Sequence, residues 1–180
     1  ADQDLAADID LPVNRWGGNG TTRYNWQLDI SNHASDCYFE NIDNDNAHPE
    51  NLPNGSSSDQ FIDQNKATGT DTLLTLPLIG YTPTGPRNAN PRNCGFPTNL
   101  YASQQSIATD APCGNGTHPN GTPSTGNNPL NSSIAISPTF VAGWINHLTG
   151  KYGAANAGGV RFYDLDNETG LWNTTQRDVH

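Results

Sequence analysis

Near the end of the chain, Asn167 and Glu168 follow directly on a strand-forming run, Arg161-Phe162-Tyr163-Asp164-Leu165-Asp166. A carboxylic acid at the C-terminal tip of a strand can protonate a departing oxygen, and the neighbouring amide can hold a hydroxyl of the same substrate. Asn-Glu pairs are common on ordinary surfaces, so the weight of this one comes from its surroundings. Other reactive side chains are less organised. Asp43, Asp45 and Glu50 form an acidic cluster whose oxygens suit a structural calcium ion, although the spacing lacks the glycine and terminal glutamate of an EF-hand loop and a solvated loop is the plainer reading. His33, His48 and His118 lack metal-ligand spacing, so no catalytic metal and no required cofactor are expected.

The elements that would position the pair form a strand-helix repeat. An acidic, alanine-containing stretch reads as the tail of a helix, and Leu11 to Trp16 as a strand ended by Gly17-Gly18. Ser57 or Ser58 can cap a helix carrying Phe61, Ile62 and Ala67, stopped by Gly69. Thr72 to Ile79 is nearly all apolar, as in a parallel strand covered on both faces, with Pro77 confined to its end. Ser137-Pro138 starts the next helix, with Phe140, Val141, Trp144, Ile145 and Leu148 on one apolar face and His147 a polar-face neighbour; Gly150 and Gly153 close it. Val160 to Leu165 then leads to Glu168. The helix-to-strand connections are short, whereas the strand-to-helix ones are long, Gly80 to about Ile136 above all. Long loops on one side decorate the C-terminal ends of parallel strands, where barrels and open doubly wound sheets alike build their sites.

At 180 residues the chain suits one α/β domain, and 33% hydrophobic content allows a modest core. The 18 glycines and 13 prolines assign much of it to loop. With 18 acidic against 8 basic residues, the net charge of -10 disfavours nucleic acid and anionic membrane as partners and leaves a neutral polymer such as a polysaccharide open. No apolar run has membrane-spanning length, and the N-terminus lacks signal-peptide regions, which fits a mature or cut chain. Glycosylation acceptors stand at Asn19, Asn54, Asn115, Asn120, Asn131, Asn167 and Asn173, and a glycan on Asn167 would obstruct the proposed chemistry. Cys94 and Cys113 bracket a Gly/Pro/Asn-rich loop that a disulfide would hold, leaving Cys37 free; the alternative is three reduced thiols.

Several blocks resemble glycoside hydrolase family 44. Asn14-Arg15-Trp16-Gly17-Gly18-Asn19 with Thr22-Arg23-Tyr24-Asn25-Trp26-Gln27 looks like its N-terminal motif, extended by Asp36 and Tyr38-Phe39-Glu40-Asn41-Ile42. Thr75-Leu76-Pro77-Leu78-Ile79-Gly80-Tyr81 is similar to its third barrel strand, and Cys94-Gly95-Phe96 with Cys113-Gly114-Asn115-Gly116 to its long loop. Asp166-Asn167-Glu168, Leu171-Trp172 and Thr175-Gln176-Arg177-Asp178-Val179-His180 look like the segment carrying its acid/base. Thr169 departs from the usual proline and Cys37 from a common aromatic, so the turn at Glu168 loses a rigid residue.

The resemblance implies a partial (β/α)8 barrel over residues 1–180, with about three parallel strands corresponding to strands two to four. It implies a secreted, retaining endo-β-1,4-glycan hydrolase of the cellulose or xyloglucan class. Glu168 would be the acid/base, Asn167 would hold the 2-hydroxyl, and Arg15 would sit beside a nucleophilic carboxylate lying beyond these residues. Trp16, Trp26, Tyr81 and Trp172 are candidate sugar platforms, with core packing the alternative for each, and loop position favours Trp26 and Trp172. Asp178 is the most tempting internal substitute for the nucleophile, but the motif assigns none there. The chain alone is expected to be inactive and to need the remainder of the barrel or another protein chain along its open strand edges. The competing reading is a glycosylated, non-catalytic structural or self-assembling protein derived from the same fold.

Overall fold

The computed structural model describes residues 2–180. Its helices are α1 (Gln3–Asp8), α2 (Ser57–Ala67), α3 (Pro138–Tyr152) and α4 (Trp172–Thr175). Its strands are β1 (Val13–Trp16), β2 (Tyr24–Asn25), β3 (Ile30–Asn32), β4 (Asn41–Asp43), β5 (Asp71–Leu76), β6 (Tyr81–Pro83), β7 (Ser133–Ala135) and β8 (Phe162–Leu165). The central sheet is parallel with order β1-β5-β8, following the chain without reversal. Register places Trp16, Leu74 and Tyr163 in one row and Arg15, Leu73 and Phe162 in the adjacent row. Because successive side chains alternate, these rows face opposite ways.

The row through Trp16, Leu74 and Tyr163 packs with Leu76, Ile62, Val160, Trp144 and Leu148 to form the core under α2 and α3. Tyr24 joins this core, its ring 5.2 Å from that of Trp144. Ile62, Trp144 and Leu148 are buried, as the periodicity of the two helices requires, and Leu74 of β5 is buried against them. β5 begins one residue earlier than expected and stops at Leu76, three residues short of the expected Ile79, since Pro77 has no N–H to continue the ladder.

Four local expectations need correction. Ser56, rather than Ser57 or Ser58, caps α2, accepting from the Asp59 amide at 3.3 Å. Gly150 lies inside α3, and Gly153, with φ 87°, ends the helix. Ser137 occupies the N-cap position of α3 but makes no capping side-chain bond. His147 also does more than border the core: its Nε2 lies 3.2 Å from the buried Asp59 carboxylate, which Lys151 Nζ also reaches at 2.7 Å. This cluster ties α2 to α3.

The long strand-to-helix connections are ordered. The first folds into the antiparallel sheet β2-β3-β4 and the second contains the β6-β7 pair. Side-chain amides join them: Asn25 donates to the Pro83 carbonyl and Asn41 to that of Ser132. Cys94 and Cys113 form the expected disulfide, and Cys37 is free. Both loops sit beyond the C-terminal ends of β1 and β5, where the sequence asymmetry places them.

Candidate active site

Glu168 projects from a tight turn after β8. Asp166 and Glu168 both adopt left-handed backbone conformations, with φ 68° and 47°. Two such non-glycine residues so close together need fastening by their surroundings. Asp166 supplies one fastening. It is buried, and its carboxylate accepts from the Leu78 amide at 2.5 Å and from the Asn167 amide at 2.6 Å, clamping the ends of β5 and β8 together. Burial pushes its carboxyl above the usual aspartate range, and the backbone donors only partly oppose that shift. Trp172 supplies another, donating from Nε1 to the Asn167 carbonyl at 3.2 Å. These contacts hold the turn that leads into Thr169.

The turn leaves Glu168 exposed and Asn167 buried. Asn167 Nδ2 lies 3.3 Å from Glu168 Oε2 and 3.3 Å from Asn19 Oδ1, while Asn167 Oδ1 accepts from Arg15 Nη2 at 2.8 Å. Arg15 also meets Asp164 at 3.3 Å, and both side chains are part-exposed. A Cβ on Gly17 would come within 2.4 Å of the Arg15 guanidinium, so the glycine leaves the space into which this side chain folds. Sequence reasoning thus places Glu168, Asn167, Arg15 and Trp172 in one neighbourhood, and the structure brings all four together.

Trp26 is elsewhere. It is only 8% exposed, its ring stacks on His147 at 5.6 Å, and its Nε1 donates to the Phe140 carbonyl. A ring covered in this way has no free face for a sugar, so core packing replaces its expected platform role. Asn167 is likewise unsuited as a glycan acceptor because its amide is buried and engaged. Among the other acceptors, Asn54, Asn120, Asn131 and Asn173 are exposed, while Asn19 and Asn115 are half-buried.

Asp178 is also structural. It is 1% exposed and forms a two-pronged pair with the fully buried Arg23, at 2.7 and 2.9 Å, so its oxygens do not face solvent. Asp43 accepts from the Asn88 amide and Glu50 lies 3.1 Å from His48. Among the described residues, no group of three or more His, Cys, Asp or Glu side chains is placed to hold a metal ion. No helix among them is long and apolar enough to cross a membrane. Sequence reasoning missed the supporting roles of Asn19, Asp164 and Asp166, although Asn19 closes the Asn-Arg-Trp-Gly-Gly-Asn block and the two aspartates flank the strand end.

The fold and the site define an α/β protein with a carboxyl-amide pair at the tip of its third parallel strand. Residues 30–180 match the model of glycoside hydrolase family 44, and the chain belongs to that family. It is similar to the crystal structure of CelM2, a bifunctional glucanase-xylanase from a metagenome library, with 36% identity and a TM-score of 0.90 over 100% of this chain and 34% of that one. A xyloglucanase from Paenibacillus polymyxa is 27% identical, with a TM-score of 0.62 over 100% of this chain and 34% of its own. A beta-mannanase/endoglucanase A from Caldicellulosiruptor saccharolyticus is 27% identical over 100% of this chain and 13% of its own length. The chain therefore spans about a third of each of these two solved structures and 13% of that curated relative.

Proposed function

We propose that this chain contributes the acid/base half of a retaining endo-β-1,4-glycan hydrolase active site, acting on substrates of the cellulose or xyloglucan class. The single observation that carries the reading is the presentation of Glu168: an exposed carboxyl on a clamped left-handed turn at a strand tip, with the Asn167 amide against it. Family membership and the glucanase, xylanase and xyloglucanase relatives support the substrate class. The three parallel strands then form one part of a (β/α)8 barrel, whose other strands lie outside these residues.

In this mechanism a carboxylate from outside the chain, about 5 to 5.5 Å from Glu168, attacks the anomeric carbon as Glu168 gives its proton to the leaving glycosidic oxygen. Glu168, now ionised, takes a proton from water, and the resulting hydroxide displaces the enzyme carboxylate from the sugar. Asn167 accepts from the 2-hydroxyl at the Oδ1 lone pair that Arg15 leaves free, and Arg15, on the sheet face adjoining the site, keeps the nucleophile charged. Trp172, half-exposed beside Asn167, offers a sugar platform. The protein acts outside the cell and depends on the remaining barrel segments, so these residues alone are inactive.

The test is Glu168→Gln in the complete catalytic unit. Its kcat/KM on a native β-1,4-glucan should fall by about 10²- to 10⁴-fold, the usual contribution of a general acid, while that on a dinitrophenyl glycoside should hold. An unchanged rate on the native glycan removes Glu168 from the role.

A further inference from the structure

We infer that Asn19 and Asp36 are positioning residues that orient Asn167 and thereby decide which oxygen of Glu168 carries the transferable proton, an inference that rests on the acid assignment above. The argument is one of donor and acceptor polarity. Asn19 Nδ2 donates to Asp36 Oδ2 at 2.9 Å. An ionised aspartate only accepts, so the Asn19 NH₂ must turn toward it and its Oδ1 must turn away, toward Asn167. At the other end, Arg15 only donates, and its Nη2 fixes Asn167 Oδ1 at 2.8 Å. Two amides held between an obligate acceptor and an obligate donor have one mutually satisfied orientation.

In that orientation Asn167 Nδ2 faces both Asn19 Oδ1 and Glu168 Oε2, each at 3.3 Å. An N–H aimed at Oε2 opposes a proton on that oxygen, so the acid proton resides on Oε1, turned away from the amide. The backbone of Asn19 is fixed independently: its carbonyl accepts from Nε2 of the fully buried Gln176 at 3.0 Å. Neither Asn19 nor Asp36 needs to touch the sugar. They act through Asn167.

The test uses the complete catalytic unit and two substrates, a native β-1,4-glucan that needs its leaving oxygen protonated and a dinitrophenyl glycoside that does not. Asn19→Ala should lower kcat/KM on the glucan roughly tenfold, a fraction of what a general acid contributes, and change the activated substrate by less than about twofold. Asn19→Asp should show the same selective loss, because two carboxylates then oppose each other at this link. The double variant Asn19→Asp/Asp36→Asn restores the polarity, with Asn donating at position 36 and Asp accepting at position 19. It should recover most of the glucan rate and move the alkaline limb of the kcat/KM profile upward, since the negative charge stands one link nearer Glu168. A double variant no better than Asn19→Asp, or an Asn19→Ala that slows both substrates equally, overturns the relay. Glu168→Gln in the same comparison separates the causes: equal loss on both substrates there overturns the acid assignment itself, whereas selective loss there beside unselective loss in Asn19→Ala overturns the relay alone.

Discussion

Asp166 carries a pH signature that distinguishes its clamp from the acid beside it. Its buried carboxyl has a folded-state pKa above the ordinary aspartate value of about 4, so between the two values the native state binds more protons than the unfolded chain. Its contribution to stability is full below the unfolded value and declines as pH rises through the raised one. The stability difference between the parent chain and Asp166→Asn should therefore narrow with rising pH across that window, read from urea midpoints at each pH. A widening difference would mean that the amides of Leu78 and Asn167 dominate the carboxyl's environment. Trp26 gives a second residue-scale outcome. Trp26→Ala should cost about 3 to 5 kcal/mol of folding stability, as for a large buried aromatic, while sugar affinity per folded molecule stays constant. Loss of affinity in a folded Trp26→Ala protein would return the residue to the site. Glu168 and Asn167 were legible because a strand leading into a distinctive motif fixes where their side chains emerge. Trp26 was misread because its loop position does not reveal which way the ring turns, and here His147 and Phe140 draw it inward.

The elements divide by how they are held. β1, β5, β8, α2 and α3 were legible from apolar periodicity and from Gly and Pro punctuation, with errors of a few residues where a neighbouring serine or glycine offered an equally good cap or stop. β2, β3, β4, β6 and β7 were not, because strands of two or three residues carry no measurable alternation. β2, β3 and β4 pair with near neighbours in the chain, β6 pairs with the distant β7, and the side-chain amides of Asn25 and Asn41 fasten the two groups together at Pro83 and Ser132. The disulfide staples part of this region. Replacing Cys94 and Cys113 together with alanine should cost about 3 kcal/mol by chain-entropy reasoning for a loop with a sequence separation of 19, measured by denaturant unfolding under oxidising conditions. The Asp59 cluster performs a similar task between helices. Asp59→Ala removes a fully buried carboxylate from His147 and Lys151, and should destabilise by about 2 kcal/mol; the part-exposed lysine can turn to water, which places the cost below that of breaking a fully buried pair. An Asp59→Ala chain as stable as the parent would show that this carboxylate cluster adds nothing net to the pairing of the two helices.

At the scale of the whole chain, the sheet covers one face well and leaves its margins open. Among the described residues, β1 and β8 are the outer strands of the parallel sheet, and each pairs only with β5. Beyond β8, Leu76, Leu78, Ile136, Val141, Ile145 and Leu165 line an apolar groove of about 350 Å³, with Leu165 65% and Leu78 50% exposed. Phe162 on the opposite face of β8 is 41% exposed. An unpaired strand flanked by apolar surface is a template for association, and the net charge of -10 opposes that association without removing the edge. The isolated 180-residue chain should therefore show a sedimentation mass above its 19.3 kDa that rises with concentration and with added salt, which screens the repulsion. Leu165→Glu places a charge at the groove's most exposed leucine, so it should lower the association while shifting the thermal midpoint little, because that side chain contributes little to the core. Sedimentation at 19.3 kDa for the parent at every concentration and salt would show that the charge overrides the open edge.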